Sequence, residues 1–249
     1  MERAIGKSVL DQIVFGRLRF FRRLVPEVAE FSQLSWEEEE IRFQEAQRQA
    51  VLQLAALYDR TSHQVGEGMA AIFAIHAMLL EDEDFVESIR ALIREKEATA
   101  EYAVRVVGRE FGAAFSAMDS PYMRARAVDI RDISRRVMGL LLKNHLQDPL
   151  REGPAILVAD EFLPSEVLEL DHHRLLGLIA RKGSVDSHTS MLLRAYGIPA
   201  MAEVELDQAW DGHLALLDGF DHCLYLDPDR ELVETLRLRY QAGKAPSGV

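Results

Sequence analysis

Between Ser35 and Asn144 the sequence holds one proline, Pro121, and its apolar residues recur three and four positions apart. Ile41, Ala46, Ala50, Leu54 and Leu57 keep that spacing, which an α-helix gathers onto one side. Ser35 and Glu38 precede the run at the separation of a capping box. The acidic run Glu37 to Glu40 is expected to form a solvated first turn, where carboxylates also suit the helix dipole. "MAAIFAIHAMLL" gives a second helix, and "DFVESIRALIREKEATAEYAVRVVGREF" continues helical with room for a break. Ser120-Pro121 opens "YMRARAVDIRDISRRVMGLLL", with proline where a helix starts. So long a stretch with so few breakers predicts a bundle of helices.

On either side the pattern changes. Near the N-terminus "IVFG" reads as a strand, followed by the basic "RLRFFRR". After "QDPLREGP" come short apolar runs bounded by turn residues: "AILVA", "LLGLIA", "IPAMAEV", "LALLDG" and "CLYLD". "PSEVLELD" and "SHTSMLLRAY" lie between them as short helices. Strands interleaved with helices indicate α/β. The expected fold is an α/β domain with an inserted all-α helical bundle. The α/β part takes residues 1–30 and 146–232, the bundle 31–145, and a linker helix with a polar tail 233–249.

Composition removes several functions. A net charge of −12 opposes non-specific binding to nucleic acid and favours a basic partner. No apolar stretch approaches the roughly 18–20 residues of a membrane span, and the first twenty residues lack the apolar core of a signal peptide. One cysteine, Cys223, can build neither an internal disulfide nor a cysteine zinc cage, which suits a reducing cytoplasm. His172-His173 lacks the further ligands that a metal needs, so no metal site is expected. There is no P-loop, nucleophile elbow or dinucleotide fingerprint.

The chemistry concentrates in "RKGSVDSHTSMLLRAYGIPAM", Arg181 to Met201. Asp186 or Ser187 can cap the helix that follows, which puts His188 in its first turn. Backbone N–H groups there favour an anion. Gly183 lets the preceding loop approach a bound group. Ser187, Thr189 and Ser190 offer hydroxyls, and Arg194 a cation one or two turns on. A neutral imidazole keeps a nucleophilic nitrogen near neutral pH, so this setting suits a phosphoryl acceptor.

"GLIARKGSVDSHTSMLLRAYGIPAM" resembles the phosphohistidine segment of phosphoenolpyruvate-utilising enzymes, usually G-G-x-T-S-H followed by a helix with Ala-Arg and then "GIPA". "AILVADEFLPSEVLELD" resembles the strand and helix before it. Enzyme I of the sugar phosphotransferase system, pyruvate phosphate dikinase and phosphoenolpyruvate synthase share this swivelling domain. "IFAIHAMLLEDEDFVESIRALI" and "YMRARAVDIRDISRRVMGLLL" resemble the module by which enzyme I docks its phosphocarrier HPr, which favours enzyme I.

The resemblance implies that His188 carries phosphate, through Nε2, between phosphoenolpyruvate and a histidine of HPr. It implies that Gly183, Ser187, Thr189 and Arg194 steady the phosphate. It implies that Glu67, His76, Met78, Leu79, Glu81, Asp82, Glu83, Asp84 and Arg126 face the partner, an acidic rim around an apolar centre that suits the positive rim of HPr. In that family magnesium and phosphoenolpyruvate belong to a C-terminal barrel beyond this stretch. No cofactor is therefore expected in this chain, which is expected to be monomeric, to perform only the HPr half-reaction, and to bind neither nucleic acid nor membrane. The alternatives are a dikinase-type or synthase-type swivelling domain, or a non-catalytic HPr-binding module. The sequence departs from the family pattern at Ser184, where a second glycine is usual, and at Asp186, where threonine is. Val167 replaces a hydroxyl after "PSE", and Leu10-Asp11-Gln12 replaces Ser-Pro-Gly.

Overall fold

A computed structural model describes residues 2–23, 27–143 and 148–243. The chain divides into two compact units. One takes Met1–Arg23, Asp148–Phe162 and Glu169–Val249, and the other Leu24–Gln147 and Leu163–Leu168.

The first unit is built on strands β1 (Glu2–Ile5), β2 (Lys7–Ser8), β3 (Ile13–Phe20), β4 (Ala155–Ala159), β5 (Leu175–Ala180), β6 (Ala200–Ala202), β7 (Leu214–Asp218) and β8 (Cys223–Leu226). They form one eight-stranded sheet in the order β1-β8-β7-β3-β4-β5-β6-β2. From β3 to β6 neighbours are parallel, while the pairs of β7, β8, β1 and β2 are antiparallel. Leu18, Ile156, Val158, Ile179, Met201, Ala215, Leu217, Leu224 and Leu226 meet in its core. They recur at every second position of their strands, as a pleated chain requires.

The two ends of this strand order are consecutive in the chain, separated by Gly6 alone. Residues 2–5 pair with β8 on one side, and residues 7–8 with β6 on the other. A side chain at Gly6 would lie 2.5 Å from Val204 Cγ2 and 2.8 Å from the Ala202 carbonyl oxygen, so only glycine fits the crossing.

The second unit holds α1 (Trp36–Val65), α2 (Glu67–Leu80), α3 (Glu83–Lys96), α4 (Ala100–Ser116) and α5 (Pro121–Leu141). Ser35 caps α1 in a full capping box with Glu38. The break expected after α3 falls at Glu97, in the left-handed region with φ 51°, and Thr99 caps α4. Phe43, Phe73, Phe85, Ile89, Ile130 and Ile133 fill the core.

The acidic run at the start of α1 is not uniformly solvated. Glu37 and Glu38 are exposed, but Glu39 and Glu40 are buried. Glu39 accepts from Arg42 at 2.6 Å and from the Ala100 N–H at 3.0 Å, which ties α1 to the start of α4. Glu40 is gripped by Arg94 and Arg90. Each buried carboxylate thus meets a cation, the condition for its burial.

Helix α6 (Pro164–Glu169) lies in sequence between β4 and β5, within the stretch expected for the α/β part. Its residues up to Leu168 group instead with the bundle. Asp132 of α5 accepts from both the N–H and the hydroxyl of Ser165, Arg135 pairs with Glu166 at 3.3 Å, and Arg60 donates to the Leu168 carbonyl at 2.8 Å. Val167 is fully buried there. The sheet unit also holds α7 (His188–Ala195), between β5 and β6, and ends with α8 (Arg230–Gly243). The rest of the expected tail, residues 244–249, lies outside the described residues.

Candidate functional site

His188 is the first residue of α7, and it is half-buried. The loop from the end of β5 delivers it. The N–H of Arg181 donates to Ala159 and that of Lys182 to Asp160, which continues the register of β4 and β5 past their ends. Arg181 also pairs with Asp160 at 3.1 Å. Gly183 then takes φ +123°, a conformation costly for any residue with a Cβ, and nothing fills the space beside it. Residues Ser184 to Ser187 form a turn closed by the Ser187 N–H on the Ser184 carbonyl at 3.1 Å.

Of the two caps open from sequence, the structure selects Ser187, whose Oγ accepts from the Ser190 N–H at 3.2 Å. Asp186 is exposed, and its own N–H goes to Ser184 Oγ at 3.1 Å.

Three of the residues expected to steady the phosphate have bonds within the protein. Ser187 Oγ lies 3.1 Å from Ser190 Oγ, and Ser190 Oγ lies 2.7 Å from the Ser184 carbonyl oxygen. A carbonyl can only accept, so Ser190 gives its proton to Ser184 and Ser187 gives its own to Ser190. Thr189 is buried and donates to the Phe162 carbonyl at 3.1 Å. Arg194 sits in the last turn of α7 and spends its Nε on the Val9 carbonyl at 3.0 Å. The three side chains hold α7 in place, and none offers these protons to a group on His188. Around His188 the expected helix forms, and Ser187, Thr189 and Arg194 bond to acceptors within the protein that spacing does not reveal.

The residues expected to face a partner divide in the bundle. Glu67, Met78, Glu81, Asp82, Glu83 and Asp84 are exposed, and Leu79 is half-exposed. Met78 is 70% exposed, the highest value among the large apolar side chains described. Asp82 also has a local task, accepting from the Phe85 N–H to cap α3.

Two others must be corrected. His76 is fully buried, with Nε2 3.2 Å from Asp129 Oδ1 and Nδ1 3.7 Å from Asp132 Oδ2. Neither ring nitrogen reaches hydrogen-bond geometry. Arg126 is buried too, bonded to Asp129 at 2.9 Å and to the Tyr122 hydroxyl, whose ring its guanidinium covers. Both belong to the polar interior of the bundle. Burial pushes the Asp132 carboxyl up, against the opposing pull of His76 and of the two bonds from Ser165. What sequence reading missed is this interior: His76 stands in an apolar helix at a position facing inward, and Asp129 and Asp132 share one side of α5 three residues apart.

The fold is shared with solved structures. "NMR solution structure of Enzyme I (nEIt) protein using two 4D-spectra" matches 97% of this chain and 100% of its own, with TM-score 0.70 and 24% identity. "N-terminal domain of Enzyme 1 - Nitrogen" matches 96% of this chain and 99% of its own, with TM-score 0.64 and 24% identity. In sequence, residues 4–126 match the family described as PEP-utilising enzyme, N-terminal, and residues 151–221 match PEP-utilising enzyme, mobile domain. The chain belongs to the phosphoenolpyruvate-utilising enzymes, in the N-terminal part found in enzyme I. A phosphoenolpyruvate-protein phosphotransferase of Bacillus sp. (strain S) is 32% identical over 84% of this chain and 37% of its own length. One of Haemophilus influenzae is 29% identical over 90% of this chain and 40% of its own. The chain thus spans well under half the length of these two relatives.

Proposed function

We propose that His188 is a covalent phosphoryl carrier exchanging phosphate with a histidine of an HPr-like phosphocarrier. The observation that carries this reading is the placement of one half-buried histidine as the first residue of α7, inside the segment matched to the mobile domain. The N–H groups of a helix N-terminus face outward there and favour a phosphate.

The lone pair of neutral Nε2 attacks the phosphorus of the carrier's phosphohistidine. The new N–P bond forms as the carrier's N–P bond breaks in line, and that electron pair returns to the carrier's imidazole. The proton on the other nitrogen of His188 stays where it was. Catalysis is then a matter of position and exclusion of water. Glu67, Met78, Leu79 and the Glu81–Asp84 run supply an acidic and apolar docking face, matched to a basic partner. No step requires a metal held by this chain. The reaction takes place in the cytoplasm, with this chain as a monomer. No helix of the described residues is long and apolar enough to cross a membrane.

Incubation with phosphorylated carrier, followed by intact mass measurement, tests the reading. One acid-labile phosphoryl group is expected, absent in His188→Ala. Label that survives His188→Ala would move the site elsewhere. Stable binding of the carrier without label would leave a docking module only.

A further inference from the structure

We infer that Ser190 is a positioning residue for His188, acting through the turn that precedes it; the inference rests on the phosphohistidine reading. Ser190 is buried. Its hydroxyl closes a one-way chain of protons from Ser187 Oγ to Ser190 Oγ to the Ser184 carbonyl. That carbonyl also receives the Ser187 N–H, so both of its lone pairs are used. Ser184 Oγ takes the Asp186 N–H as well. Every residue between Gly183 and His188 except Val185 is therefore tied into one small network, and Ser190 is its one member from inside the helix.

The consequence is directional. His188 has the turn on one side and the helix on the other, and the Ser190 hydroxyl bonds the two together beside the Ser187 cap. Without its hydroxyl the turn keeps a single bond to the Ser184 carbonyl, and Ser187 gains a proton with no fixed acceptor. The imidazole then samples more than one direction. In-line transfer between two rings tolerates little of this, since a misplacement of about 1 Å can cost on the order of a hundredfold in rate. Ser190 thus serves the reaction without touching the phosphate.

The test compares Ser190→Ala and Ser190→Thr with the wild type in single-turnover transfer from a phosphorylated HPr-like carrier. Ser190→Ala should fold, slow the first-order transfer step about tenfold or more, and leave the half-saturating carrier concentration unchanged. Ser190→Thr keeps the hydroxyl and should restore the rate to within about threefold of wild type. An unchanged rate in Ser190→Ala would overturn the inference. So would a variant that raises only the half-saturating concentration, or an alanine variant that does not fold, because Ser190 would then serve docking or stability. The His188 ring signals in nitrogen-15 spectra give a readout independent of transfer. They should be single in the wild type and broadened or doubled in Ser190→Ala. If the wild type accepts no phosphate, the phosphohistidine reading falls, and the ring signals still decide whether Ser190 fixes the imidazole.

Discussion

Nε2 of His76 lies 3.2 Å from Oδ1 of Asp129, with both side chains sealed from solvent. Removing one member of such a group strands the others. His76→Ala would leave Asp132 buried with the two bonds from Ser165 and no facing imidazole. We expect a loss of about 3 kcal/mol of stability in urea unfolding. Carrier affinity of the folded protein, measured by calorimetry, should not change. The reverse result, intact stability with weakened binding, would return His76 to the docking face.

Glu40 gives the bundle a pH dependence on the acid side. Arg94 holds its carboxyl below the ordinary value of 4.5, by hydrogen bonds at 3.0 and 2.8 Å. The folded state therefore binds this proton less readily than the unfolded chain. The resulting stability is present above about pH 5 and is lost as the pH falls through 4.5 toward the folded value. Asp132, raised by burial, acts in the opposite sense: its contribution is present below its ordinary value and lost as the pH rises through the folded one. In unfolding midpoints taken from pH 6 to roughly pH 3, Glu40→Gln should be less stable than wild type at the upper end, with the gap closing toward the lower. A gap independent of pH would exclude Glu40 as its source.

Met78 separates docking from packing. An apolar side chain this exposed contributes little to the fold, so Met78→Asp should change stability by under about 0.5 kcal/mol. If Met78 sits at the centre of the docking face, the same change should weaken carrier binding by about 2 kcal/mol, some thirtyfold. Leu52→Asp, an exposed apolar position on α1, serves as control and should bind as wild type does. Equal binding by both variants would remove Met78 from the interface.

Asp186 stands two residues before His188 and is not the helix cap. With capping assigned to Ser187, repulsion remains as its effect on a phosphate. Replacement by threonine should shift the exchange equilibrium toward phosphorylated His188 by roughly five- to tenfold at low salt, about 1 kcal/mol. The shift should shrink as ionic strength rises. An equilibrium unmoved at low salt would show that the carboxylate points away from the phosphate.

Much of this was legible in sequence because it rests on local rules. Helix periodicity, the Ser35–Glu38 box, the proline at the start of α5 and the short strand runs each report a few neighbouring residues. The His188 helix was legible for the same reason. What escaped were acceptors far along the chain. Nothing near Thr189 announces the carbonyl of Phe162, and nothing near Arg194 announces that of Val9. Only the family resemblance put His76 on the docking face, beside Met78 and Leu79. One turn of a helix carries both faces, and only the carboxylates of α5 decide which of them His76 shares. Helix α6 went astray likewise, since its anchors Asp132, Arg135 and Arg60 all lie in residues remote from it.

Gly6 joins the two ends of the strand order, so residues 2–8 act as the last stave of a closed wall. That stave stands some two hundred residues before the strands it seals, β6 and β8. Closure is thus a long-range event, of the kind that slows folding. Until it happens, or if these residues are cut away, β8 and β6 each present a bare row of N–H and C=O groups to any neighbouring chain. A nick near Gly6 would then be felt first as association between molecules, before any loss at His188.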